Sequence, residues 1–246
     1  MKRCDGVLLY SACDLDRVIA AGIKPGAVYV ANNTIHVPNA RDCSSCRKRS
    51  FIFVGRLEAR KRVNVLIQAF RDALCRIDRR AVLEIVGDGS ERGHLEDLVA
   101  RSGLKGKVIF HGSVTEADRL ATLFSGAIAY VSPGPVGLGA IHSFAYGVPV
   151  VTARAEYHGP EFSNLEHGRN AIIFGQDFEL TDVLGTLWHD RRFAKELGRA
   201  AFETYSQRCS MAGMVSGFVA AIDGGCGQGI TAASLVEAPR KPSVDN

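Results

Sequence analysis

The stretch that decides the fold is Tyr130-Val-Ser-Pro-Gly-Pro-Val-Gly-Leu-Gly-Ala-Ile-His-Ser-Phe-Ala-Tyr-Gly-Val-Pro-Val151. It starts as an apolar strand, passes through a loop of prolines and glycines, and continues with apolar residues at helical spacing. The helix should begin near Gly137 and end at Gly147, where Pro149 opens the next apolar run. The pattern therefore predicts a strand, a glycine loop and a helix in direct succession.

Gly137 and Gly139 lie where this helix should begin. The first backbone N–H groups of a helix have no partner within the helix, and the helix dipole is positive at that end. A glycine-bearing junction of this kind suits a phosphate group. Close packing of a helix on a strand also requires glycines, so a purely structural role stays open for both residues.

A second stretch, Phe51-Ile-Phe-Val-Gly-Arg-Leu-Glu-Ala-Arg-Lys-Arg-Val-Asn-Val-Leu-Ile-Gln-Ala-Phe70, predicts a buried strand, a Gly-Arg turn and a basic segment entering an amphipathic helix. Arg56 follows the carboxyl end of the strand and Lys61 opens the helix. Ligands of open parallel sheets bind at this edge, and an Arg fork with a Lys point charge matches a diphosphate. The alternative is a solvated basic turn, since four cations lie between Arg56 and Arg62.

Together these stretches resemble the nucleotide-sugar-binding half of a family-four retaining glycosyltransferase, a class of enzymes with the two-domain GT-B fold. Further segments fit the resemblance in the same order. They are Val86-Gly-Asp-Gly-Ser-Glu-Arg92, Val108-Ile-Phe-His-Gly-Ser-Val114 and Gly159-Pro-Glu-Phe162, the last followed by Glu166-His-Gly-Arg-Asn170. The resemblance covers roughly residues 5 to 207.

The resemblance implies a role for each motif. Arg56 and Lys61 would stabilise the leaving diphosphate, and Glu161 would lie near the donor sugar, so these three are the candidate catalytic residues. The candidate donor-binding residues are Gly55, Gly87, Gly112, Gly134, Gly137, Leu138, Gly139 and His142. For Glu161 the alternative is an ordinary first-turn carboxylate facing a helix dipole.

One departure from the family pattern concerns the carboxylates around the glycine loop. The family commonly carries two glutamates eight positions apart, and the aligned positions here are Gly134 and His142. A histidine can still hydrogen-bond a ribose hydroxyl; the alternative is a helix histidine bonded to a neighbouring backbone carbonyl. The loss weakens the inference about sugar geometry more than the inference of nucleotide-sugar binding.

The order of the elements predicts an α/β fold: a Rossmann-like parallel sheet with helices on both faces, forming a single GT-B half-domain. Strands are expected near Phe51–Val54, Val82–Val86, Val108–Phe110, Ala127–Val131, Val148–Thr152 and Ala171–Phe174. Helices are expected near Val63–Cys75, Glu91–Arg101 and Ala117–Ser125, with two more between Asp177 and Gln207.

The length of 246 residues accommodates one sizeable domain, whereas a complete GT-B enzyme has two. By the resemblance, residues 1–35 are a remnant of the N-terminal acceptor domain. Residues 36–50 are predicted to be a linker, because they are polar, basic and free of helical periodicity. Residues 51–207 form the donor-binding domain, residues 208–222 a C-terminal helix and residues 223–246 a disordered tail. The chain is therefore interpreted as a truncated, split or deliberately shortened product.

Composition limits the other function classes. The net charge of +4 could favour anionic ligands or an anionic membrane surface, but the basic–aromatic interleaving of nucleic-acid-binding proteins is lacking. The start Met-Lys-Arg-Cys-Asp predicts no signal peptide, and glycines, prolines and charges interrupt every apolar run. A soluble, cytoplasmic protein with at most peripheral membrane contact is expected.

The seven cysteines are scattered, and their odd number suits a reducing compartment. Cys43 and Cys46 form a Cys-x-x-Cys pair without a second pair at zinc-site spacing. A structural metal and a chance pairing in a loop are the two readings, and the second is the simpler.

The family reaction transfers a glycosyl group from a nucleoside-diphosphate sugar to a hydroxyl with retention. Fixed cations and backbone dipoles stabilise the charge on the leaving diphosphate, so no metal or other cofactor is expected. Expected partners are the nucleotide sugar, a carbohydrate or lipid-linked acceptor, and the missing N-terminal domain in the same or a separate chain. Alternatives are a non-catalytic nucleotide-binding fragment, a subunit of a split enzyme and a sugar-nucleotide epimerase-like domain. A dinucleotide-dependent dehydrogenase would carry a Gly-x-Gly-x-x-Gly fingerprint after its first strand, which this sequence lacks.

Overall fold

A computed structural model of the chain describes residues 5–154 and 157–224. These residues divide into two compact units. The larger unit comprises Thr34–Ser210, and the smaller combines the described residues up to Asn33 with those from Met211 onward. The tail expected to be disordered, residues 223–246, lies outside the described residues from position 225.

The smaller unit contains two short parallel strands and two helices. Strand β1 (Val7–Leu9) pairs with β2 (Val28–Val30), and helix α1 (Leu15–Ala20) connects them. The last helix, α8 (Met211–Gly224), packs against β2. The two approach closely, because a Cβ atom at Gly217 would lie 2.3 Å from the carbonyl oxygen of Val30.

The larger unit is built on one sheet of parallel strands. They are β3 (Ser50–Val54), β4 (Val82–Val86), β5 (Val108–Gly112), β6 (Ala127–Ser132), β7 (Val150–Ala153) and β8 (Ala171–Phe174). Their order across the sheet is β5-β4-β3-β6-β7-β8. Parallel neighbours require crossover connections, which are usually helical.

The helices of the larger unit follow in chain order. They are α2 (Val63–Ala73), α3 (Arg92–Arg101), α4 (Ala117–Gly126), α5 (Leu138–Phe144), α6 (Glu179–His189) and α7 (Arg191–Thr204). None of the described helices has both the length and the apolar character that crossing a bilayer requires.

The core lies on both faces of the sheet. Along β3, Phe51 and Phe53 point into one buried cluster, while Ile52 points into the other. This alternation is the two-residue period of a strand, and both faces are apolar because helices cover both. The α/β class and the Rossmann-like parallel sheet with helices on both faces are therefore confirmed.

Some elements differ from the sequence-based expectation, and the start of β7 does so for a clear physical reason. Strand β7 begins at Val150 rather than Val148, because Pro149 has no N–H to donate and contributes only its carbonyl oxygen, to Tyr130. The segment after Gly159 forms a 3₁₀ turn over Pro160–Asn164 instead of opening an α-helix.

The segment predicted as a linker, residues 36–50, belongs to the larger unit and has no regular element before Ser50. Val37 and Cys43 are buried. The N–H of Arg41 donates to the carbonyl of Ala145 at 2.9 Å, and that of Cys43 to the carbonyl of Tyr146 at 3.2 Å. The segment is thus packed against the end of α5.

Candidate donor-binding site

The order in which successive strands are added to the sheet reverses between β3 and β6, which is its topological switch point. From β3 the chain proceeds outward to β4 and β5, then returns to β6 on the other side of β3 and proceeds to β7 and β8. The loops that leave two such strands diverge, and ligands of open α/β sheets bind in the crevice between them. Two loops start here: the Lys61 loop, residues 55–62, follows β3, and the glycine loop, residues 133–137, follows β6.

The two loops are in direct contact. The N–H of Gly134 donates to the carbonyl of Lys61 at 3.2 Å, and the Lys61 ammonium donates to the carbonyl of Pro135 at 2.5 Å. A Cβ atom at Gly134 would lie 2.2 Å from the carbonyl oxygen of Arg60. Glycine at position 134 is therefore required for the approach of the two loops, whatever it also contributes to a ligand.

The ammonium group of Lys61 lies in a partly buried position. Burial lowers the pKa of its ammonium, as does the charge of Arg60, while Glu58 and Glu161 act in the opposite direction. One of its three N–H donors is taken by Pro135, so two remain for an anion. Electrostatic attraction is stronger in such a desolvated setting than in water.

Arg56 lies at the same edge but is not held there. Its side chain is 83% exposed, and its described ion pair is a distant one, 3.9 Å to Glu58. The structure shows no contact between Arg56 and the glycine loop among the described residues. Its role at a diphosphate stays a prediction and requires the side chain to reorient.

Glu161 is buried beside the same crevice. It lies in the 3₁₀ turn and is only 4% exposed. Its carboxylate covers Gly159, where a Cβ atom would lie 2.3 Å from Oε2 of Glu161. Its charge raises the pKa of Lys61 and adds to the effect of burial, which raises the pKa of Tyr130 to about 12. The structure thus brings Glu161 and Lys61 to one site.

His158 links the loop after β6 to the end of β7, and the sequence reasoning missed it. Its Nδ1 accepts from the N–H of Val136 at 3.1 Å, and its Nε2 lies 3.0 Å from the carbonyl oxygen of Ala153. Nδ1 therefore carries no proton, and Nε2–H donates to Ala153. Burial lowers the pKa of His158, which favours this neutral form. In the sequence, its position three residues before Glu161 was the feature that could have indicated its place in the site.

His142 lies on α5 in an aromatic environment. Its ring centroid is 4.9 Å from that of Phe124 and 5.7 Å from that of Tyr146. Burial lowers its pKa to about 4, so the imidazole is neutral at physiological pH. Within the described part of the chain no hydrogen bond to His142 is formed. The alternative of a histidine bonded to a backbone carbonyl is therefore not what the structure shows.

The glycines at the start of α5 differ in their surroundings. A Cβ atom at Gly139 would lie 2.6 Å from Oη of Tyr130 and 3.1 Å from the carbonyl oxygen of Val54, so this glycine is required for packing. Nothing lies within 4 Å of such an atom at Gly137. The neighbouring Leu138 side chain is 38% exposed. The open side of the helix start is thus at residues 137 and 138.

Gly55, Gly87 and Gly112 lie side by side at the carboxyl ends of β3, β4 and β5. The N–H of Gly55 donates to Val86 at 3.0 Å, and that of Gly87 donates to Gly112 at 2.8 Å. Gly87 has a φ of 134°, and a Cβ atom there would lie 1.9 Å from the carbonyl oxygen of Gly55. These glycines let three backbones run close together at the edge of the crevice; their contact with a donor stays a prediction.

The Cys43–Cys46 pair forms a tight turn in which the N–H of Cys46 donates to the carbonyl of Cys43 at 3.0 Å. Sγ of Cys43 lies 3.2 Å from Oγ of Ser125. The described residues contain no group of three or more His, Cys, Asp or Glu that could hold a metal ion. The expectation that no metal takes part stays a prediction.

A family model described as glycosyl transferases group 1 matches residues 48–190, more than half of the chain. The chain belongs to the group 1 glycosyl transferases. The matched range contains both switch-point loops, His142 and Glu161. The sequence-based resemblance to a GT-B glycosyltransferase is thereby confirmed.

Curated relatives of this group 1 chain are glycosyltransferases too. An uncharacterized glycosyltransferase of Methanocaldococcus jannaschii is 38% identical over 109 residues, which are 43% of this chain and 27% of the relative. The lipopolysaccharide core biosynthesis glycosyltransferase LpsD of Rhizobium meliloti is 28% identical over 174 residues, 70% of this chain and 48% of the relative. The chain thus spans about half or less of the length of these relatives.

Solved structures share the fold at lower identity. TarM of S. aureus, in complex with Fondaparinux, alpha-GlcNAc-glycerol and UDP, gives a TM-score of 0.71 at 18% identity, over 90% of this chain and 44% of TarM. Anabaena HepE, in complex with UDP and glucose, gives a TM-score of 0.68 at 21% identity, over 89% of this chain and 63% of HepE. Similarity at these identities establishes the common fold.

Proposed function

We propose that the chain is the donor-binding part of a glycosyltransferase that moves a glycosyl group from a nucleoside-diphosphate sugar to a hydroxyl with retention. One observation carries the proposal: the Lys61 loop and the glycine loop meet at the switch point of a parallel sheet, in a chain of the group 1 family. A uridine diphosphate donor is the first choice, since HepE and TarM are both described in complex with UDP.

The proposed chemistry requires stabilisation of the charge that grows on the leaving diphosphate. Lys61 would supply its two remaining N–H donors, and Arg56 would swing in from solvent to add a planar fork. Glu161 would lie near the sugar, and the neutral His142 would hydrogen-bond a ribose hydroxyl. Gly112 would lie along the nucleobase. With the charge met by these cations, the reaction would need neither metal nor cofactor.

The acceptor would be a carbohydrate or a lipid-linked saccharide, and the reaction would take place in the cytoplasm with at most peripheral membrane contact. Because the matched part is 48% of LpsD and 27% of the Methanocaldococcus jannaschii relative, we propose that transfer requires a further domain, in the same or a separate polypeptide. That domain would supply the acceptor surface and complete the cleft, from which closure excludes water.

The same length relation favours a second candidate, a nucleotide-binding subunit that does not itself turn over a donor. Neither candidate predicts transfer by the purified chain alone, so the assay that separates them supplies the further domain, fused to the chain or as a separate polypeptide. Transfer that depends on Lys61 favours the donor-binding part of a transferase, whereas tight nucleotide binding without turnover favours the subunit.

The assignment of the diphosphate site can be tested by calorimetric titration with UDP and GDP. Losing one charge-assisted contact to a diphosphate costs roughly 1.5–3 kcal/mol, about ten- to a hundredfold in affinity. We expect a loss in this range for Lys61→Met, which keeps the apolar stem, and for Arg56→Ala. Affinity should also fall as salt rises.

The matched control is Arg101→Ala, which removes a cation from an exposed position at the end of α3. It should leave nucleotide affinity unchanged. Melting curves of all variants establish that each is folded. Unchanged affinity in both Lys61→Met and Arg56→Ala would show that the diphosphate binds elsewhere.

A further inference from the structure

A groove of about 300 Å³ lies at the amino ends of the strands, the edge of the sheet opposite to the crevice. Three segments line it: the lead into β3, the turn before β4, and the junction of α6 with α7. Its lining residues are Arg47, Lys48, Arg49, Asp78, Arg80, Trp188, His189 and Arg191. The three segments are far apart in sequence, so the fold itself assembles the groove.

The charge of this groove is strongly unbalanced. Of the described residues that line it, five are Arg or Lys and one, Asp78, is a carboxylate. Arg80 already neutralises Asp78, with Nη2 at 2.6 Å from Oδ2 and Nε at 2.9 Å from the same atom. Among the described residues, none of Arg47, Arg49 and Arg191 forms an ion pair. Four cations thus share a small volume without a carboxylate in the lining to offset them.

Two of the cations are held in fixed positions. Lys48 donates to the carbonyl of Ala127 at 2.8 Å, and burial lowers its pKa to about 8. The guanidinium carbon of Arg191 lies 4.3 Å from the centre of the Trp188 ring, the geometry of a cation–π contact. A cation that is already ordered loses less conformational freedom when a ligand binds.

From this geometry we propose that the groove is a second anion site, which binds phosphate-bearing ligands independently of the nucleotide-sugar crevice. Arginine forks recognise phosphate oxygens with two N–H donors at a time. A volume of about 300 Å³ accommodates a phosphate together with a small attached group. That phosphate belongs either to a soluble phosphorylated compound or to the headgroup of an anionic bilayer.

The chain contains a single tryptophan, Trp188, and it lines the groove. Its fluorescence therefore reports on this site and not on the crevice. We expect a saturable change when the chain is titrated with inorganic pyrophosphate, with vesicles containing phosphatidylglycerol, or with both. Vesicles of phosphatidylcholine alone should give no change. A response to pyrophosphate identifies a soluble ligand, and a response to anionic vesicles only identifies the bilayer.

The decisive variant combines Arg47→Gln, Arg49→Gln and Arg191→Gln, which are exposed positions. Loss of these charge-assisted contacts should weaken binding about tenfold or more. The matched control combines Arg101→Gln, Lys105→Gln and Lys195→Gln, with the same loss of charge at exposed positions outside the groove. Since Arg191 contacts Trp188, vesicle cosedimentation and calorimetry provide readouts without fluorescence.

The proposal is overturned if neither pyrophosphate nor anionic vesicles bind, or if both triple variants lose affinity equally, which would mean a general effect of net charge. It is also overturned if, with UDP saturating the crevice, the groove variant keeps full affinity for whichever of the two ligands binds the unaltered chain. UDP affinity should be the same in the groove variant as in the unaltered chain. A failure of the donor-site assignment would therefore be recognised separately.

Discussion

His142 combines a stacked position with a neutral ring. Burial between Phe124 and Tyr146 lowers its pKa to about 4, whereas an unperturbed histidine titrates near 6.5. A neutral imidazole has one donor and one acceptor nitrogen, which suits a hydroxyl group that can play both roles. The side chain is thus prepared for a polar contact that it does not make within the described chain.

The lowered pKa of His142 predicts a pH dependence of stability. Between about pH 6.5 and pH 4 the unfolded chain binds a proton that the folded chain does not, so the stabilisation is complete above about pH 6.5 and is lost as the pH falls towards 4. The effect of this residue on the free energy of unfolding should be roughly 1–3 kcal/mol. Burial also lowers the pKa of His158, which acts in the same direction.

Denaturant unfolding from about pH 4 to 7.5 measures this effect in the unaltered chain and in His142→Phe. Phenylalanine keeps the ring stacking and cannot titrate, so the variant should lose less stability on acidification. Parallel pH curves for the two proteins would show that His142 does not titrate differently in the folded and unfolded states. Weaker UDP binding by the variant at neutral pH would support the proposed ribose contact.

At the scale of elements, the strands of the larger unit were predictable because each is a short apolar run bounded by glycine, proline or polar residues. The ends of the strands were less predictable. Strand β7 begins only after Pro149, and β5 extends to Gly112. The contact between Lys61 and Pro135 depends on β3 and β6 being neighbours, which periodicity does not encode. His158 was missed for the same reason. Its hydrogen bonds with Val136 and Ala153 form only because the fold brings these residues together.

Two glycines inside helices lead to opposite predictions. Gly185 in α6 has open space around a Cβ position, whereas a Cβ atom at Gly198 in α7 would lie 2.4 Å from the carbonyl oxygen of Gly147. Alanine favours a helix over glycine by about 1 kcal/mol, so Gly185→Ala should raise stability by roughly 0.5–1 kcal/mol. Gly198→Ala should lower it by roughly 1–3 kcal/mol, because α7 must move away from the Gly147 turn.

Chemical denaturation of the two variants and of the unaltered chain measures both changes in the free energy of unfolding. The chemical change is the same in both, so only the surroundings of the two glycines differ. Changes of stability with the same sign would show that α7 can shift at little cost and that its contact with Gly147 is not restrictive.

At the scale of the whole molecule, the two buried clusters cover the two faces of the six-stranded sheet, and all their members fall between Val37 and Cys209. We therefore predict that residues 34–210 fold alone. The shortened chain should unfold cooperatively, with a melting temperature close to that of the main transition of the full chain, and should bind UDP with similar affinity. Circular dichroism and calorimetry measure both properties.

Lys61→Met in the shortened chain serves as the control for specific binding. Loss of near-UV dichroism with retention of far-UV signal would indicate a molten state. That result would mean that the sheet depends on the smaller unit for its packing.

The smaller unit is discontinuous in sequence, and this has a consequence for biosynthesis. Strands β1 and β2 are synthesised before residues 34–210, whereas α8, which packs against β2, is synthesised after them. Domains generally fold as units while the ribosome is still adding residues. The six-stranded sheet can therefore be complete while α8 has yet to cover β2, and during that interval β1 and β2 are available to a chaperone.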